Sequence, residues 1–248
     1  MNNFITSFII TFIAGISTIL GGFIVFFNIN NKDKIILTSL SFAAGIMVCI
    51  SIIELLPESY NYLIREYSFL SLLLIMFISI FSGFLLFKLL DILLTKDVDN
   101  LYRVGIFSML AIIVHNIPEG IITFILSSSD IRLGLFMGLS IALHNIPEGI
   151  SIMVPVYYGS GSYKKAFLFT LIAGISEVVG GVVFYLLFND YVNDLFLGSI
   201  FSFVAGIMIY LSFFELLPKS LEYENRNLTL SSFMIGIIFF FFISIFMH

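Results

Sequence analysis

Of the 248 residues, 60% are hydrophobic and 11% charged, against ~25% charged in an ordinary soluble domain, so a water-soluble fold is excluded. The formal net charge of −5 comes with no basic patch carrying interleaved aromatics, which argues against nucleic acid as a partner. The single cysteine, Cys49, excludes an intramolecular disulfide and a thiolate cage for a soft metal such as Cu(I).

The apolar residues fall into blocks of roughly 20 or slightly more, the length a helix needs to cross a bilayer. Eight blocks are predicted, at 4–27, 35–57, 68–90, 104–126, 133–156, 165–188, 195–217 and 229–247. The first has no Lys or Arg in Met1 to Ser7 and is too long for the core of a secretory signal, so it is kept as a span. Tyr60, Tyr62, Tyr67, Tyr102, Tyr157, Tyr158, Tyr163, Tyr191 and Tyr223 lie near block ends, where an amphipathic ring favours the interface. With the N-terminus outside, the inner connections hold Lys32, Lys34, Lys88, Lys96, Arg103, Lys164, Lys165, Lys219 and Arg226, leaving Arg65 and Arg132 outside. That bias places both termini, His248 included, outside the cytoplasm. The expected fold is all-α, a polytopic membrane protein of eight transmembrane helices in one domain.

The chain also repeats itself. SFAAGIMVCISIIELLPES from Ser41 and SFVAGIMIYLSFFELLPKS from Ser202 agree at 12 of 19 positions at an offset of 161. TFIAGISTILGG from Thr11 and TLIAGISEVVGG from Thr170 agree at 8 of 12. The first two helices therefore correspond to the sixth and seventh, an odd number of crossings away, so the partners run in opposite directions. A 3+2+3 inverted repeat is expected, with repeats over 4–90 and 165–247 around central helices in 104–156. In such architectures substrate sites lie near mid-bilayer where the repeats meet.

The central pair carries the chemistry. His115-Asn116-Ile117-Pro118-Glu119-Gly120 recurs as His144-Asn145-Ile146-Pro147-Glu148-Gly149, each eleven residues into its block. At about 100° per residue, His115 and Glu119 are neighbours on one face, and Asn116 flanks Glu119 on its other side. His144, Asn145 and Glu148 repeat the construction. A carboxylate with partners on both sides can bridge two metal ions. Pro118 and Pro147 deprive the carbonyls of Val114 and Leu143 of helical donors, so broken helices and extra oxygen ligands are expected there. The bland reading is a pair of proline kinks with His and Glu satisfying one another. Against it stands a cost of ~2.5–3.5 kcal/mol or more for each charge at a helix centre.

Glu177 adds a third carboxylate, where the repeat has Thr18. Metal ligation is favoured over a structural hydrogen bond to Ser17 or Ser176. Two histidines, two asparagines and three glutamates suit a borderline divalent ion, typical of zinc and tolerable for iron, manganese or cobalt, and ligand chemistry alone does not choose among them. Carboxylates gathered in a low dielectric repel one another, so an empty cluster is expected to hold a proton that metal would displace. Glu54 and Glu215 match in the repeated ELLP and could guard opposite mouths or snorkel to the interfaces. Asp91, Asp97 and Asp99 could collect exiting metal or be merely solvated.

With HNIPEG on the fourth and fifth helices, an acidic residue on the sixth and an eight-helix inverted plan, the chain resembles the ZIP (Zrt/Irt-like protein) metal transporters over essentially its whole length. The resemblance implies import of zinc and of other divalent metals (Fe2+, Mn2+, Co2+, Cd2+) as substrate, with no cofactor, through a binuclear site. It implies one metal held by His115, Glu119, His144 and Glu148, and a second by Asn116, Glu119, Asn145, Glu148 and Glu177. Many eukaryotic relatives carry a histidine-rich third connection, whereas residues 91–103 here contain no histidine. The partners expected are divalent metal ions and the lipid bilayer of the cell membrane, with room for a homodimer. Alternating access driven by ion gradients is the expected mechanism, since no nucleotide-binding motif is present. The alternative is an intramembrane metal-dependent hydrolase, although the HExxH order is absent.

Overall fold

The computed structural model describes residues 2–26, 31–94, 100–188 and 193–245, which leaves Lys96, Asp97, Asp99, Tyr191 and His248 outside the described residues. Every element among the described residues is helical. In chain order the helices are α1 (Asn3–Gly21), α2 (Lys32–Leu63), α3 (Phe69–Leu94), α4 (Asn100–Ser129), α5 (Ile131–Ser160), α6 (Tyr163–Leu187), α7 (Asp194–Leu221) and α8 (Arg226–Ile245). The first seven are long and apolar enough to cross a membrane, while α8 contributes a shorter apolar stretch, Arg226–Phe242.

Polar caps set the helix starts. Asn31, Asp130, Ser162 and Asn193 each accept a backbone N–H of the first turn of α2, α5, α6 and α7, satisfying donors that a helix start leaves orphaned. Only Asp130 separates α4 from α5, which makes them a tight hairpin. The α5–α6 turn relies on Gly161, whose φ of 66° is costly for a residue with a Cβ.

Two details differ from the sequence reading. Pro118 and Pro147 lie inside continuous helices rather than at breaks. One missing donor per turn is tolerated when neighbouring helices pack closely on both sides. Irregular backbone sits instead at Ser17 within α1, at Phe184–Phe188 at the end of α6, and in α2 and α7, where Ile50–Leu55 and Leu211–Leu216 form π-helical turns at positions one repeat offset apart. The turns in α2 and α7 each stand just before a proline, Pro57 or Pro218, whose absent N–H the widened turn accommodates.

In lipid there is no hydrophobic force between helices, so association depends on close packing at small residues. The packing divides the helices into two groups. The first is α1, α4, α5 and α6, and the second is α2, α3, α7 and α8, with α2 and α7 also touching α5 and α4 across the divide. A Cβ added to Gly15 would lie 2.4 Å from the Gly174 carbonyl oxygen, and one on Gly174 would lie 2.3 Å from that of Gly15. Gly45 meets the Phe233 carbonyl and Gly236 that of Phe42, while Gly206 meets Ile80 and Gly83 meets Phe203. Every such backbone approach at a described glycine joins helices of the same group.

Candidate metal centre

The two motifs face each other inside the first group. His115 Nε2 lies 3.2 Å from Glu119 Oε1, one turn along α4, and 3.0 Å from Glu148 Oε1 on α5. His115 is 1% exposed and Glu148 0%. Burying carboxylates this deeply is expensive unless they are paired with charge or coordinated.

The asparagines are anchored by their amide nitrogens. Asn116 Nδ2 donates to the Ala173 carbonyl on α6 at 3.0 Å, and Asn145 Nδ2 donates to the Ala14 carbonyl on α1 at 2.9 Å. Asn145 Nδ2 also donates to Glu177 Oε2 at 2.7 Å, which draws the sixth-helix carboxylate to the cluster. With both amides held by nitrogen, the oxygens are left as acceptors. Asn116 Oδ1, Asn145 Oδ1 and Glu177 Oε1 are buried and meet no hydrogen-bond donor among the described residues. Buried oxygens in that condition are rare in proteins and call for a cation, a proton or water.

Glu177 is not bonded to either neighbouring serine. Ser17 Oγ donates to the carbonyls of Ala14 and Ala142, and Ser176 Oγ to those of Ala173 and Ile113. These hydroxyls tie α1 to α5 and α6 to α4 one residue before Leu143 and Val114, a contact that sequence reasoning did not foresee. Close approach on the other side is set by the motif glycines. A Cβ on Gly120 would lie 1.8 Å from the Glu177 carbonyl oxygen, and one on Gly149 would lie 1.7 Å from that of Thr18.

The fold therefore brings together His115, Asn116, Glu119, Asn145, Glu148 and Glu177. The side chain of His144 lies outside the described residues. Among the described residues, no three His, Cys, Asp or Glu side chains form a ready-made metal cage. The carboxylates of Glu119 and Glu148 instead close onto the His115 imidazole.

Glu215 neither snorkels nor stands alone. It is buried, and Arg103 Nη1 donates to its Oε1 at 3.3 Å while Nη2 lies 3.2 Å from Oε2. Arg103 also pairs with Asp91, whose other oxygen accepts from the Tyr210 hydroxyl at 2.9 Å. Asp91 is thus engaged rather than merely solvated, and Glu54 is partly exposed at the matching π turn of α2.

Known proteins resemble this chain along nearly its full length. The family model described as ZIP Zinc transporter matches residues 95–244. The zinc transporter ZupT of Clostridium perfringens is 34% identical, with 96% of this chain and 94% of that protein aligned. ZupT of Streptococcus mutans is 35% identical over 94% of each chain, and ZupT of Lysinibacillus sphaericus is 36% identical over 92% of each. These relatives are transporters, and none supports the hydrolase alternative. The chain belongs to the ZIP family of metal-ion transporters.

Proposed function

We propose that this protein carries zinc across the cell membrane into the cytoplasm through the buried cluster between α4, α5 and α6. The observation that carries the reading is the gathering of three carboxylates, one imidazole and two amide oxygens in a largely apolar bundle, with three of those oxygens lacking a donor among the described residues. Hard oxygens with borderline nitrogen suit zinc, and Fe2+, Mn2+, Co2+ and Cd2+ are admitted as further substrates. His144 completes the ligand set on this reading. Glu119 and Glu148 bridge two ions, Asn116, Asn145 and Glu177 hold the second, and metal entry displaces protons from the carboxylates.

The mechanism is alternating access, in which one group of helices rocks or slides against the other. Eight spans in an inverted repeat fit the matched features. The π turns correspond at the repeat offset, Gly45 and Gly206 make equivalent approaches in α2 and α7, and Asn116 and Asn145 reach equivalent carbonyls on α6 and α1. Both termini face outward on this plan.

Zinc entry into proteoliposomes loaded with a zinc-sensitive dye, without ATP, tests the proposal. Wild type should fill the vesicles, and Glu119→Ala and Glu148→Ala should not. Equal filling by all three would remove the cluster from the pathway, and folded wild type that moves none of the five metals would refute transport.

A further inference from the structure

The hydrogen bonds and ion pairs that join different helices among the described residues fall almost wholly inside one group. Ser17, Ser176, Asn116 and Asn145 tie the first group together, while Ser59, Ser220 and Tyr210 tie the second. Arg103 departs from this pattern. It projects from α4 in the first group and docks on Asp91 of α3 and Glu215 of α7, both in the second. Tyr210 holds Asp91 in place, so the two carboxylates are arranged to receive the guanidinium. A guanidinium shared between the buried carboxylate of Glu215 and the partly exposed one of Asp91 is a strong and directional contact.

The pair has a counterpart at the other end of the molecule. Arg103 lies in Arg-Val-Gly-Ile-Phe, and Arg132, at the 29-residue offset that relates the two HNIPEG motifs, lies in Arg-Leu-Gly-Leu-Phe. The match is structural as well. A Cβ on Gly105 would meet Val156 and one on Gly134 would meet Ser127, again 29 residues apart. Glu215 corresponds to Glu54 at the 161-residue offset, in equivalent π turns. Arg132 is on α5 of the first group and Glu54 on α2 of the second. Here Arg132 is exposed and makes no ion pair among the described residues.

We propose that Arg103 with Asp91 and Glu215 is a latch between the two helix groups, engaged in the state seen here, and that Arg132 with Glu54 is the matching latch of the opposite state. The two are unequal. Tyr210 corresponds to Cys49, and Asp91, through the α3–α8 register set by Gly83 and Gly236, to Ser244. The second latch lacks the helper carboxylate and phenol, so the protein rests with the Arg103 end closed. A ligand or contact shifts such an equilibrium only by its difference between the two states.

The inference rests on the alternating-access reading, but its test needs no zinc. A reporter cysteine at Ser108, buried on α4 between Arg103 and the metal cluster, is placed in a Cys49→Ser background. Its reaction with a charged, membrane-impermeant thiol reagent is measured from the Arg103 end of oriented vesicles. Arg103→Gln should raise the labelling rate at least about fivefold, the lower range of conformational coupling between sites, and Arg103→Lys should raise it less. Arg132→Gln, at an exposed position that the fold does not need, should lower the rate, as should Glu54→Gln. Changes of the same sign at both ends, or no change with Arg103→Gln, would overturn the latch; zinc entry in the dye assay decides separately whether the protein transports.

Discussion

Gly120→Ala tests the geometry of the centre without touching a ligand. The added Cβ would lie 1.8 Å from the Glu177 carbonyl oxygen and 2.7 Å from its carbonyl carbon, atoms of a backbone that cannot rotate away. Real Cβ atoms essentially never come closer than 3.0 Å, so α4 and α6 must separate by roughly 1.2 Å at this point. Overpacking of this kind costs about 1–3 kcal/mol. At about 2–4 °C per kcal/mol for a chain of this size, the melting temperature should fall by several degrees. The functional cost should be larger, since the displaced backbone carries Glu177 itself, and a misplacement of ~1 Å at a reacting group can cost on the order of a hundredfold in rate. Thermal unfolding in detergent and dye-reported zinc entry are measured on the same preparation. A variant with wild-type melting and wild-type zinc entry would refute the close approach of α4 to α6 and the placement of Glu177 that depends on it.

Asn145→Ala removes the donor shared by Ala14 and Glu177, so it should cost about 1–3 kcal/mol of stability and weaken zinc binding measured by competition with a chelator dye. Asn116→Ala loses a carbonyl contact but no carboxylate contact among the described residues, and its stability loss should be smaller; the reverse order would contradict the Asn145–Glu177 pairing. Ser59 Oγ donates to the Gly198 carbonyl and lies 2.6 Å from Ser202 Oγ, tying α2 to α7 within one group. Ser59→Ala should therefore lower the melting temperature by a few degrees, at about 0.5–1.5 kcal/mol for the lost bond, and leave the zinc concentration for half-maximal entry unchanged.

Much of the fold could be read from the residues because lipid imposes so few solutions. Apolar block lengths located the helices, and the motif histidine and glutamate one turn apart landed on one face, as helical periodicity requires. The ends were less legible. The sequence put the second block at 35–57, whereas α2 runs over Lys32–Leu63, because Asn31 caps it early and a polar last turn, Glu58 to Leu63, continues it beyond the apolar core. Proline was read as a breaker at Pro118 and Pro147, yet close packing at Gly120 and Gly149 holds those helices continuous, and π-helical turns precede Pro57 and Pro218 instead. Arg103 counted only toward charge bias in the sequence, since its partners are 12 and 112 residues away and nothing local announces them. Its recurrence as Arg132 in the second half of the central pair was the signal available to find it.

On the proposed mechanism, zinc occupies the buried cluster between α4, α5 and α6 during transport. Anomalous diffraction at the zinc edge from crystals of the zinc-loaded protein tests this directly. One or two strong peaks enclosed by His115, Asn116, Glu119, His144, Asn145, Glu148 and Glu177 are expected. Well-ordered side chains at that cluster with no peak among them, and zinc found only elsewhere on the protein, would contradict it.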